Sequence, residues 1–70
     1  MDFRTFMGLL TMLSKTDPHP QVRQYAIKAL GKVGDIKAVS YIERILTNPE
    51  EKEYNHKAAS IAIRNIRKRI

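Results

Sequence analysis

Apolar residues recur along this chain at three- and four-residue steps, and no segment reads as a credible strand. Phe3, Phe6, Leu9, Leu10 and Leu13 predict an amphipathic helix over about residues 3–14, with Asp2 as its N-cap. Val22, Ala26, Ala29, Leu30 and Val33 repeat the pattern in a second helix. Asp17 is placed to cap it, and Pro18 and Pro20 then fall in its first turn, where backbone N–H groups have no helical partner to lose. Gly34 ends the second helix and Asp35 caps the third, leaving only a tight turn between them. Val39, Ile42, Ile45 and Leu46 form the apolar stripe of the third helix. Asn48, Pro49 and Glu51 read as N-cap, N1 and N3 of a fourth helix over about residues 50–69, buried through Ala59, Ala62, Ile63 and Ile66.

The pattern also repeats at long range. An offset of 33 residues superposes Asp2 on Asp35, Phe6 on Val39, Leu9 on Ile42 and Met12 on Ile45. It continues with Ala26 on Ala59, Ala29 on Ala62, Leu30 on Ile63 and Val33 on Ile66. Two helices per unit at this period are the mark of an α-solenoid. The expected fold is therefore all-α: four antiparallel helices in one domain over residues 1–70, with repeat one at about 2–34 and repeat two at about 35–69.

Asp17-Pro18, Val22-Arg23, the spaced Ala26 and Ala29, Leu30-Gly31, Gly34-Asp35 and Ala38-Val39 resemble the HEAT-like repeat first named from phycobilisome bilin lyases. The sequence departs from that pattern by one inserted residue between Pro18 and Val22. In the second unit Asn55-His56 stands for Val-Arg, and Ile63-Arg64 for Leu-Gly. The resemblance implies that Arg23 ties the inter-helix turn to the neighbouring repeat, with an acidic turn residue such as Asp17 as partner. It also implies that the second helix of each unit lines a concave surface open to a partner. There the solvent stripe comprises Gln21, Gln24, Tyr25, Lys28 and Lys32, followed by Tyr54, Lys57, Ala58, Ile61, Asn65 and Lys68. Tyrosines, lysines and an exposed isoleucine suit a protein interface.

Candidate chemistry is thin. There is no cysteine, which excludes disulfides and thiolate metal sites, and makes the cytoplasm the expected compartment. His19 and His56 lack a partner at metal-ligand spacing, and no nucleophile elbow surrounds Ser14, Ser40 or Ser60. No enzymatic activity, cofactor or metal is expected, and no apolar run approaches a membrane span. The formal net charge of +6 and the run Arg64, Arg67, Lys68, Arg69 admit a nucleic-acid partner held by Lys28, Lys57, Arg64, Lys68 and Arg69. Glu50, Glu51 and Glu53 at the start of the same helix give the charge a second meaning, since acids first and bases last complement the helix dipole.

Helix one carries more apolar surface than its own core needs. If Phe6, Leu9, Met12 and Leu13 are its buried stripe, then Phe3, Met7 and Leu10 form a second one. Two repeats are also fewer than a free-standing solenoid commonly has. A protein partner is the expectation, with a homodimer formed through Phe3, Met7 and Leu10.

Overall fold

The computed structural model describes residues 2–69, which form α1 (Phe3–Thr16), α2 (Pro20–Val33), α3 (Ile36–Leu46) and α4 (Glu53–Lys68). Among the described residues there is no strand. α1 packs on α2, and α3 on α4, as two antiparallel hairpins; α2 and α4 then pack closely on each other while α1 and α3 barely touch. The second helices thus make a tight inner layer and the first helices splay outward. This is a short all-α solenoid of two units.

Two expected caps are present. The Asp2 carboxylate accepts from the Thr5 N–H at 2.7 Å, and the Asp35 carboxylate from the Lys37 N–H at 3.0 Å. Two other helix starts differ from expectation. Asp17 closes α1, and its carboxylate accepts from the His19 N–H at 2.9 Å, so α2 begins only at Pro20. The cause is steric: a residue before proline is held out of the α region, which bars both Asp17 and His19 from the helix. α4 begins at Glu53 rather than near residue 50. Asn48 folds the preceding residues into a separate turn, accepting from Glu50 N–H on its side chain at 3.0 Å and from Glu51 N–H on its carbonyl at 3.2 Å.

Glycine is required where helices meet. A Cβ on Gly31 would lie 2.8 Å from the Cβ of Ala62, so this residue sets how closely α2 and α4 approach. A Cβ on Gly34 would collide with the Leu30 carbonyl, which already accepts the Gly34 N–H at 2.7 Å.

The core holds Ala26, Leu30, Val39, Ile42, Ile45, Ala59, Ala62, Ile63 and Ile66, all expected, and also Ile27, Ala38 and Ala58. α1 is turned relative to expectation. Leu10 and Ser14 are buried and Met7 is half-buried, whereas Phe6, Leu9 and Met12 are exposed. The folded surface is 4823 Å², somewhat above the roughly 4,500 Å² of a compact chain of this mass.

Candidate functional site

Three features of the surface bear on function: the clamp between the inter-helix turns, the outer face of α2 and α4, and the exposed side of α1.

The clamp is centred on Arg23. Its Nε donates to Glu51 Oε2 and its Nη2 to Glu51 Oε1, both at 2.8 Å, while Nη1 donates to the Asp17 carbonyl at 2.6 Å. The expected acidic partner is the Asp17 side chain; that carboxylate is engaged with His19, and Glu51 of the next turn takes its place. Both charged side chains are well buried, so the pair is short of competing water. The guanidinium pulls the Glu51 carboxyl down to about 2, and Glu51 in turn raises Arg23. Asn55 completes the joint, its Nδ2 donating to the Pro20 carbonyl at 3.1 Å and to Glu51 at 3.2 Å. One turn of each unit is thereby fixed against the other. His56, one repeat on from Arg23, makes only the local part of this clamp: its Nε2 lies 2.7 Å from the Asn48 carbonyl. That carbonyl, with Glu53 behind it, raises the imidazole pKa.

The outer face of α2 and α4 keeps most of the residues expected on it. Gln21, Lys28 and Lys32 are exposed on α2, with Gln24 half-buried; Tyr54, Lys57, Ile61, Asn65 and Lys68 are exposed on α4. Lys57, Ile61, Arg64 and Lys68 fall on a single ridge at helical steps of four, three and four. Across α2 and α4 the only acid is Glu53, in the first turn. Ala58 is buried against unit one and drops out of the stripe. Tyr25, one repeat before Ala58, is exposed.

The expected nucleic-acid set is not one surface. Arg69 is committed internally, its Nη1 donating to the Gly31 carbonyl at 2.7 Å and its Nη2 to the Gly34 carbonyl at 2.6 Å. It satisfies carbonyls at the end of α2 that the helix leaves open. Arg64 and Lys68 border a cleft of about 490 Å³ that also holds Glu43. Lys28 and Lys57 remain free on the α2–α4 face.

The expected dimer stripe is likewise dismantled. Leu10 is in the core and Met7 is packed against it, on a helix whose main neighbour is α2; only Phe3 remains exposed. The apolar side chains left to solvent are those that the repeat alignment assigns to the core. Sequence reasoning misses this because both stripes of α1 are apolar.

No group of His, Cys, Asp and Glu among the described residues could hold a metal ion, and no described helix is long and apolar enough to cross a membrane. What the fold defines is a helical-repeat scaffold. A family model for HEAT repeats matches residues 5–67, and the chain belongs to that family. HEAT repeats generally serve as protein-interaction scaffolds and are typically non-catalytic. No curated protein and no solved structure matches the chain.

Proposed function

We propose that this chain is a non-catalytic interaction module that holds an acidic segment of a protein partner on the α2–α4 face. The observation that carries this is that Lys28 and Lys32 on α2 and Tyr54, Lys57 and Ile61 on α4 are all exposed, on two closely packed helices whose only acid is Glu53 in the first turn of α4. Lysines at a rim steer an acidic chain and fix its register, while Tyr54 and Ile61 supply apolar contact once water is displaced. The Gly34-Asp35 joint and the Val22-Arg23 pair support the phycobilisome-lyase form of the repeat; the binding surface, not that name, defines the activity.

Capture from native extract by the wild-type chain and by a Lys28→Glu, Lys57→Glu, Lys68→Glu variant tests the reading, with each arm run with and without nuclease. A protein retained after nuclease and lost from the variant supports it. A partner lost on nuclease treatment would make the face a nucleic-acid surface, and one retained equally by the variant would place binding elsewhere.

A further inference from the structure

α1 and α3 barely touch, and the space between them is a cleft of about 690 Å³. Its wall on α1 runs through Phe3, Met7, Thr11 and Lys15, each four residues from the next. A second row beside it carries Gly8 and Met12. Across the cleft, α3 contributes Lys37, Ala38 and Tyr41. Lys15 spans the gap, its Nζ 5.3 Å from the centroid of the Tyr41 ring.

The lining is apolar in its middle and cationic at its margins. Phe3 and Met12 are each 61% exposed, with Met7 half-buried beside them. Thr11 and Thr16 give their hydroxyls to the Met7 and Met12 carbonyls of their own helix, both at 2.8 Å, so neither needs a partner from outside. Arg4, Lys15 and Lys37 are exposed, and among the described residues none has a carboxylate within 4.0 Å. The acid on the lining, Asp35, is occupied as the cap of α3, its carboxylate accepting from the Lys37 N–H at 3.0 Å.

Shape selects a helix as the occupant. Nothing lies within 4 Å of a Cβ built on Gly8, so the α1 wall has a hollow between Arg4 and Met12. Rows of side chains four residues apart are the surface into which the rows of another helix pack, and a gap in one row admits a large side chain. A helix also arrives with its backbone hydrogen bonds made. An extended strand would leave backbone groups unpaired against the cleft, because the backbone of α1 is bonded within its own helix. Charge then selects the kind of helix. A second copy of this chain would offer its own α1, with Arg4 and Lys15 at the ends of the apolar side. That would set cation against cation, with a formal charge of +6 on each chain.

We propose that the α1–α3 cleft receives an acidic amphipathic helix of a protein partner. Its apolar side lies along Phe3, Met7, Met12 and Tyr41, and one large side chain enters the hollow at Gly8. Its carboxylates face Arg4, Lys15 and Lys37. From Phe3 to Lys15 the wall is about 18 Å long at 1.5 Å per residue, roughly three turns of such a helix. The flexible thioethers of Met7 and Met12 adapt to the side chains it brings. This site lies on the first helices of the units and is independent of the α2–α4 reading.

The probe is a phage-displayed library of helical peptides of about 14 residues, randomised along one face and selected on the whole chain. Selected peptides should carry Asp or Glu on the flanks of an apolar stripe. Gly8→Leu fills the hollow and should weaken them by at least ~10-fold. Leucine favours a helix over glycine and its Cβ meets nothing, so Tm should not fall below wild type and the loss is not one of folding. Lys15→Glu with Lys37→Glu should weaken the same peptides by at least ~10-fold as well. Lys28→Glu with Lys57→Glu, on the α2–α4 face, should leave them within about twofold of wild type. A selection that yields no binder, binders without acidic bias, or binders that hold Gly8→Leu as tightly as wild type would overturn the proposal. So would a chain that sediments alone as a dimer dissociated by Gly8→Leu, since a second copy would then fill the cleft. Flotation with phosphatidylserine vesicles that is lost on Gly8→Leu would overturn it too, in favour of a lipid surface.

Discussion

Arg23 in α2 grips Glu51, 28 residues away, through two parallel hydrogen bonds of 2.8 Å each. The pair joins the inter-helix turns of the two units, and its third bond, to the Asp17 carbonyl, closes the first turn as well. Removing either partner leaves the other charge buried without compensation, which costs about 3 kcal/mol or more. Arg23→Ala and Glu51→Gln are both expected to lose at least that much in urea unfolding. Arg23→Lys keeps the charge but loses the fork that fits a carboxylate, and falls between. Variants as stable as wild type would show that the clamp does not hold the units together.

The same pair gives stability a definite dependence on pH. Glu51 is held at about 2 in the folded chain, below its ordinary value of 4.5. A depressed carboxyl stabilises the fold fully above the ordinary value, and the contribution is lost as pH falls through the folded one. At roughly 1.36 kcal/mol per unit, about 3 kcal/mol should disappear between pH 4.5 and pH 2. Glu51→Gln lacks this component, so its deficit relative to wild type should shrink across that window. A deficit that stays constant from pH 6 to pH 2 would rule out the carboxylate as its source.

The turned α1 can be tested at two adjacent residues. Leu10 is in the core, and Leu10→Ala should cost about 2–5 kcal/mol. Leu9 faces solvent, and Leu9→Ala should change stability by no more than about 0.5 kcal/mol. A larger cost at Leu9 than at Leu10 would mean that α1 sits in the orientation read from the sequence.

That misreading shows where sequence information stops. The number of helices, their order and the repeat are legible because each depends on local periodicity, capping residues and Gly34-Asp35. The alignment of Phe6, Leu9 and Met12 with Val39, Ile42 and Ile45 is sound: these are equivalent positions. What differs is which side of each helix the fold turns inward, and no local pattern in α1 records that. The signal that does record it lies in the other unit. Ser40 and Glu43 are polar where Met7 and Leu10 are not, and that contrast marks the stripe of α1 that is turned inward. The Arg23–Glu51 clamp is half legible. Arg23 stands out from its place in the motif, but its partner is set by packing between units, and the nearest acid in sequence is not the nearest in space. Arg69 reads as part of a basic cluster until the end of α2 is seen beside it.

Gly8 and Gly31 both lie inside helices, where replacing glycine by alanine gains about 1 kcal/mol from propensity alone. Their surroundings should send the two substitutions in opposite directions. Nothing lies within 4 Å of a Cβ built on Gly8, so Gly8→Ala should stabilise the chain by nearly the full amount. At Gly31 the new methyl would lie 2.8 Å from the Ala62 Cβ and 2.9 Å from its Cα, and only the first can be relieved by changing a side chain. Overpacking of this kind costs about 1–3 kcal/mol, which offsets the propensity gain and leaves a net loss of up to roughly 2 kcal/mol. Ala62→Gly in the Gly31→Ala background should recover only part of it, because the clash with the α4 backbone persists and a glycine is added to that helix. Thermal unfolding of the three variants checks the ordering. If Gly31→Ala proved as stabilising as Gly8→Ala, the approach of α2 to α4 would not be limited at this point.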